Sequence, residues 1–210
     1  AGPIKALLQA SSGRAFVLFT SRAAMESAYD LVAPHCREQG WEVLLQGQYS
    51  KGETVARFKA GASPVLFATS SFWEGVDIQG SQLSLVIIDK LPWPNPSNPI
   101  ERAKSDIHGF RAYNIPVCVR ALKQGVGRLI RSESDRGVVC ILDPRVHKYR
   151  REIVSMLPGD ALAGLDRTGP VKITEFLDTS GRRGPSTALE EWAARGLRHL
   201  ANHDGDRARE

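Results

Sequence analysis

A chain of 210 residues with 42% hydrophobic and 24% charged side chains has ordinary globular composition and can bury a core without disulfide staples. No apolar run approaches the roughly 20 residues of a membrane helix, and Ala1-Gly2-Pro3 lacks the charged and apolar regions of a signal peptide. Cys36, Cys118 and Cys140 lie far apart without a C-x-x-C pair, which excludes a disulfide framework and a Cys-held zinc or iron–sulfur site within this chain. A cytoplasmic protein without membrane contact is expected. The 28 Lys and Arg exceed the 23 Asp and Glu by a net +5. That excess permits a polyanionic partner without requiring one.

Short apolar runs alternate with helical patterns along the chain. Residues 15–19 read as a buried strand. Ser21 is a good N-cap for a helix to about Gln39, ended by Gly40. Residues 42–46 form the next strand, and a helix near 53–60 closes at Gly61. Residues 64–68 and 83–88 are continuously apolar, as strands covered on both faces must be. The loop Leu91-Pro92-Trp93-Pro94-Asn95-Pro96 cannot be regular structure. Helices are expected near 100–108 and 116–131, a fifth strand at 137–142, a short helix near 149–156 and a strand at 171–176. This alternation predicts an α/β sandwich around a mainly parallel sheet, with one domain over 1–178. Residues 179–210 read as a tail. It carries one amphipathic helix, with Leu189, Trp192, Ala193, Leu197 and Leu200 on one face, and a frayed end.

Two segments carry candidate chemistry. In Gln124-Gly125-Val126-Gly127-Arg128-Leu129-Ile130-Arg131, helical spacing puts Gln124, Arg128 and Arg131 on one face. Gly127 keeps the neighbouring backbone unobstructed. Two guanidiniums aimed at one point make a strong anion site, because each is a rigid fork of donors. A basic solvated helix face explains this octapeptide equally well. The second segment, Thr69-Ser70-Ser71-Phe72-Trp73-Glu74-Gly75-Val76-Asp77, follows a parallel strand, where α/β sheets place their sites. Its hydroxyls can donate to phosphates, and Glu74 and Asp77 place two carboxylates near a turn at Gly75. Phe72-Trp73 reads as packing. Thr20-Ser21-Arg22 repeats the hydroxyl-plus-Arg cluster after another strand, where a helix cap is the simpler reading.

These segments occur in the order Val17–Ser21, Phe72–Asp77, Leu91–Pro94 and Gln124–Arg131. In that order the chain resembles the C-terminal motor domain of superfamily 2 DNA helicases of the DinG/XPD type, in their bacterial DinG/YoaA branch, over about residues 4 to 178. The resemblance implies a RecA-like three-layer sandwich, the second of two motor domains in one monomeric polypeptide. It implies ATP hydrolysis with Mg²⁺ at the cleft between them and 5′→3′ stepping along single-stranded DNA. Arg128 and Arg131 would reach the γ-phosphate. Gln124, with Gly127, would position the nucleotide. Asp77 would approach the ribose or, with Glu74 beside Gly75, brace the two arginines. Thr20, Ser21, Arg22, Thr69, Ser70 and Ser71 would hold the DNA backbone. The P-loop, the Asp-Glu box for magnesium and the family's iron–sulfur cysteines do not occur in this sequence. In such helicases they belong to the first motor domain and its insertions. The chain is therefore expected to be part of a longer motor, holding no metal itself. A DEAD-box-like RNA helicase half is one rival, opposed by Trp73-Glu74-Gly75 and the 91–94 loop. A non-catalytic nucleic-acid-binding module is another.

Overall fold

The computed structural model describes residues 1–69, 72, 76, 78, 82–129 and 138–154, with the backbone alone at 125–129, 147, 150 and 154. The elements run α1 (Gly2–Ser11), β1 (Ala15–Phe19), α2 (Arg22–Glu38), β2 (Val43–Leu45), α3 (Lys51–Ala60), β3 (Val65–Thr69), β4 (Leu85–Ile88), α4 (Pro99–His108), α5 (Phe110–Leu129), β5 (Val138–Ile141) and α6 (Arg150–Val154). A 3₁₀ turn at Pro144–His147 precedes α6.

The five strands form one sheet in the order β2-β3-β1-β4-β5, and every pairing is parallel. From β1 the chain crosses one way to β2, then returns through β3 to β4 and β5. Right-handed crossovers therefore send α2 to one face and α3 and α5 to the other. Strand residues alternate between the two cores. Ala15, Val17 and Phe19 join Leu8, Met25, Val32 and Cys36 beneath α1 and α2. Phe16 and Leu18 join Phe58, Cys118, Val119, Leu122 and Ile153 beneath α3, α5 and α6. Both faces of β1, β3 and β4 are thus covered, which is why these strands read as unbroken apolar runs. The three-layer α/β sandwich expected from the sequence is the observed architecture.

Local chemistry explains the ends. Ser21 Oγ accepts from the Ala24 N–H at 3.3 Å to start α2, and Ser50 Oγ accepts from the Glu53 N–H at 3.2 Å to start α3. Asn98 caps α4, with Pro99 following at its first position. Gly109, at φ 80°, turns the chain from α4 directly into α5.

Three expectations change. A helix, α1, precedes the first strand where none was expected, and its Ile4, Leu7 and Leu8 complete the α2 face. The helix expected from Pro116 begins six residues earlier, at Phe110, and runs through the proline. The second strand ends at Leu45, so Gln46 is a loop residue rather than part of the strand. The expected strand at 171–176 and the tail helix lie outside the described residues.

Candidate functional site

A parallel sheet sends the segment after every strand to the same edge. Thr20–Arg22, Gln46–Ser50, Thr69, Asp89–Pro96 and Leu142–Arg145 therefore share the carboxyl edge of this sheet. Open α/β sheets bind their ligands in the crevice at this edge.

Thr20, Ser21 and Arg22 are exposed after β1. Ser21 uses an oxygen lone pair to cap α2, which leaves its O–H proton for another acceptor. The Arg22 guanidinium lies against the backbone of Gly47, with Nη2 2.9 Å from where a Cβ on that residue would stand. Gly47 has φ +99°, so its backbone conformation calls for glycine.

After β3, Thr69 donates its N–H at 2.7 Å and its hydroxyl at 2.9 Å to one acceptor, Gln46 Oε1. The Gln46 N–H in turn donates to the Phe67 carbonyl at 2.9 Å, extending the β2–β3 ladder past its last strand residue. Beyond Thr69, Phe72, Val76 and Ile78 are buried in the α3/α5 core, so Phe72 is packing, as its apolar ring suggests. The Lys51 ammonium sits 5.5 Å from the Phe72 ring centre. Ser70, Ser71, Glu74, Gly75 and Asp77 lie outside the described residues.

The loop after β4 is tied to the end of β5. Leu91 is buried, and its N–H donates to Asp143 Oδ2 at 3.0 Å. Asp143 is itself only 3% exposed and also accepts from the Arg145 N–H and guanidinium at 2.7 to 3.1 Å. Burial pushes the Asp143 carboxyl up, but these hydrogen bonds and the Arg145 charge outweigh it and hold its pKa below 3.8. The Trp93 ring then packs against Phe110 and Tyr149, each with centroids 5.1 Å away. Gln124 is exposed near the end of α5, and Arg128 follows four positions later in the same helix. Gly127 also lies in α5, whereas Arg131 lies outside the described residues. Among the described residues no three His, Cys, Asp or Glu side chains gather into a metal-binding group, and no helix is long and apolar enough to cross a membrane.

Sequence reasoning missed Gln46 and Asp143. Gln46 was hidden by its place at the end of an apolar run, where polarity reads as a strand terminus. Asp143 was legible only as a strand breaker before Pro144, because its partner Leu91 is 52 residues away.

Residues 4–160 match the helicase C-terminal domain family. The chain is 42% identical over 166 residues to the ATP-dependent DNA helicase YoaA of Escherichia coli (strain K12), covering 75% of this chain and 26% of that protein. It is 40% identical over 154 residues to the ATP-dependent helicase DinG of Mycobacterium tuberculosis (strain ATCC 25618 / H37Rv), covering 70% of this chain and 23% of that protein. It therefore spans about a quarter of the length of these curated relatives. In fold it is similar to a solved XPD helicase, with a TM-score of 0.54 at 16% identity over 66% of this chain and 26% of that one. The helicase motifs in order and these matches agree: the chain belongs to the helicase C-terminal domain family, with proteins named YoaA and DinG among its relatives.

Proposed function

We propose that this chain is the second motor domain of an ATP-dependent DNA helicase that steps 5′→3′ along single-stranded DNA as a monomer. The observation that supports it best is convergence. Parallel pairing brings the segments after all five strands to one edge, and the relatives at 40% identity or more are named ATP-dependent helicases.

ATP supplies the polyphosphate whose hydrolysis drives closure and opening between the two motor domains. The first RecA-like domain of the same polypeptide holds most of the nucleotide and its Mg²⁺, through the P-loop and carboxylate box that this sequence lacks. An amide at Gln124 and a guanidinium at Arg128, four positions apart on α5, are a donor set suited to phosphate oxygens. Arg128 and Arg131 stabilise the charge that develops in transfer, and Gln124 with Gly127 positions the nucleotide. Glu74, Gly75 and Asp77 complete that side of the cleft. Thr20, Ser21, Arg22 and the run Thr69, Ser70 and Ser71 hold the DNA backbone, a sequence-independent contact that suits a translocase.

The test is ATP turnover, stimulated by single-stranded DNA, in a polypeptide carrying both motor domains. Arg131→Ala lowers kcat by ~10³-fold or more, with an unchanged Tm, and Arg128→Ala behaves alike. Near-normal kcat in both variants would reduce this helix to a basic surface.

A further inference from the structure

Gln46 is the first residue past β2, half-buried at the carboxyl edge. Its carboxamide has one acceptor oxygen and one NH₂. The oxygen is fully engaged, because Thr69 donates both its N–H and its hydroxyl proton to it. Two consequences follow. While this pair stands, Thr69 has no proton left to offer a phosphate, which is itself only an acceptor. Two bonds to one oxygen also fix the amide plane, so Nε2 points away from Thr69. No described residue accepts from Nε2, which leaves a positioned double donor on this half-buried side chain at the carboxyl edge. The Arg22 guanidinium lies alongside, against the backbone of the very next residue, Gly47.

We infer that Gln46 is a phosphate-contacting residue for single-stranded DNA, with Nε2 donating to a backbone oxygen, Thr69 acting as its positioning residue and Arg22 supplying the adjacent charge. The inference rests on the DNA-tracking reading above, names a contact that reading did not contain, and replaces the direct contact it gave Thr69 with a positioning role. A neutral, oriented donor suits a translocase: it fixes the register of the backbone without adding to the ionic grip that must release at each step. Thr69 then serves the track through Gln46 rather than by touching it.

The experiment is fluorescence anisotropy of the 210-residue chain with a labelled oligothymidylate across a salt series, with Tm measured in parallel. Gln46→Glu keeps an acceptor for both Thr69 donors but replaces the NH₂ with an anionic oxygen. It should leave Tm nearly unchanged and weaken binding about tenfold or more, since a donor is lost and a like charge gained. Gln39→Glu is the control for net charge. It makes the same change at the far end of α2, where Gln39 is exposed, and should cost about twofold at most. Gln46→Met, which adds no charge, should weaken binding by about three- to tenfold without altering the salt slope, because no cation is removed. Arg22→Gln should flatten that slope by about 0.7. Thr69→Val releases one of the two bonds that orient the amide and should weaken binding less than Gln46→Met does.

If Gln46→Glu costs no more than Gln39→Glu, Gln46 is only a tie between β2 and β3 and the inference falls. The same holds if Gln46→Met lowers Tm but spares affinity. If Thr69→Val weakens binding and Gln46→Met does not, the contact is Thr69 itself, and the DNA reading survives without the inference. Absence of binding by the unaltered chain at every salt concentration would sink both.

Discussion

A single buried carboxylate holds the loop after β4 onto the end of β5. Asp143 accepts from Leu91 on one side and Arg145 on the other. Asp143→Ala leaves the buried Leu91 N–H without an acceptor and should cost about 1–3 kcal/mol in denaturant unfolding. The sign of the pH effect follows from the lowered pKa. A carboxylate whose folded value lies below its unfolded one stabilises fully above the unfolded value and loses that contribution as pH falls through the folded one. Stability should therefore drop as pH falls below 3.8. Asp143→Asn should remove that part of the acid dependence in Tm measured from pH 2 to 6. Burial acts differently on the thiols. It pushes Cys36 up to about 11 and both Cys118 and Cys140 up to about 12. At pH 8 the folded chain should resist iodoacetamide, with modification at least ~100-fold slower than in denaturant. Rapid alkylation of the native chain would contradict the buried placement of all three.

Helices show how context overrides a local rule. Pro34 and Pro116 both lie inside helices, where each removes one backbone hydrogen bond. The sequence suggests a helix start at Pro116. In α5 the preceding turn is held by packing, with Phe110 against Trp93, Ile115 in the core and the Tyr113 hydroxyl donating to Glu101 at 2.7 Å. Pro34 is exposed, with no packing to preserve. Pro34→Ala should restore the missing bond and raise unfolding stability by about 1–2 kcal/mol, less than the full helix-propensity gap because the freer unfolded chain offsets part of it. On the opposite face, Phe58 anchors α3. It is fully buried and meets Phe16 edge-on at 4.8 Å. Phe58→Ala should cost about 3–5 kcal/mol. The same helix presents Lys51 and the loop from Gln46 at the carboxyl edge, so its docking also sets the candidate site.

At the scale of the whole molecule, the proposed function makes the carboxyl edge only part of a two-domain track, and the net charge is only +5. The chain by itself should bind single-stranded DNA weakly, with Kd of about 10⁻⁶–10⁻⁴ M and strong salt sensitivity, as non-specific binders do. It should turn over no ATP with saturating single-stranded DNA, because the sequence holds no phosphate-cradling glycine loop. Turnover that stays with the chain through successive purification steps would overturn this.

Strand positions were readable from sequence because burial on both faces demands unbroken apolar runs. The helix start at Ser21 was read from a side chain that caps its own neighbour, whereas the caps at Ser50 and Asn98 went unread and start α3 and α4 slightly before the expected residues 53 and 100. These are local interactions, and a sequence displays them directly. Helix α1 was not readable, because it is defined by the α2 face it covers rather than by a strong start signal. The Gln46–Thr69 pair and the Asp143–Leu91 tie join residues 23 and 52 positions apart. Only the parallel register, which sets the ends of β2 and β3 and of β4 and β5 side by side, decides that those groups meet.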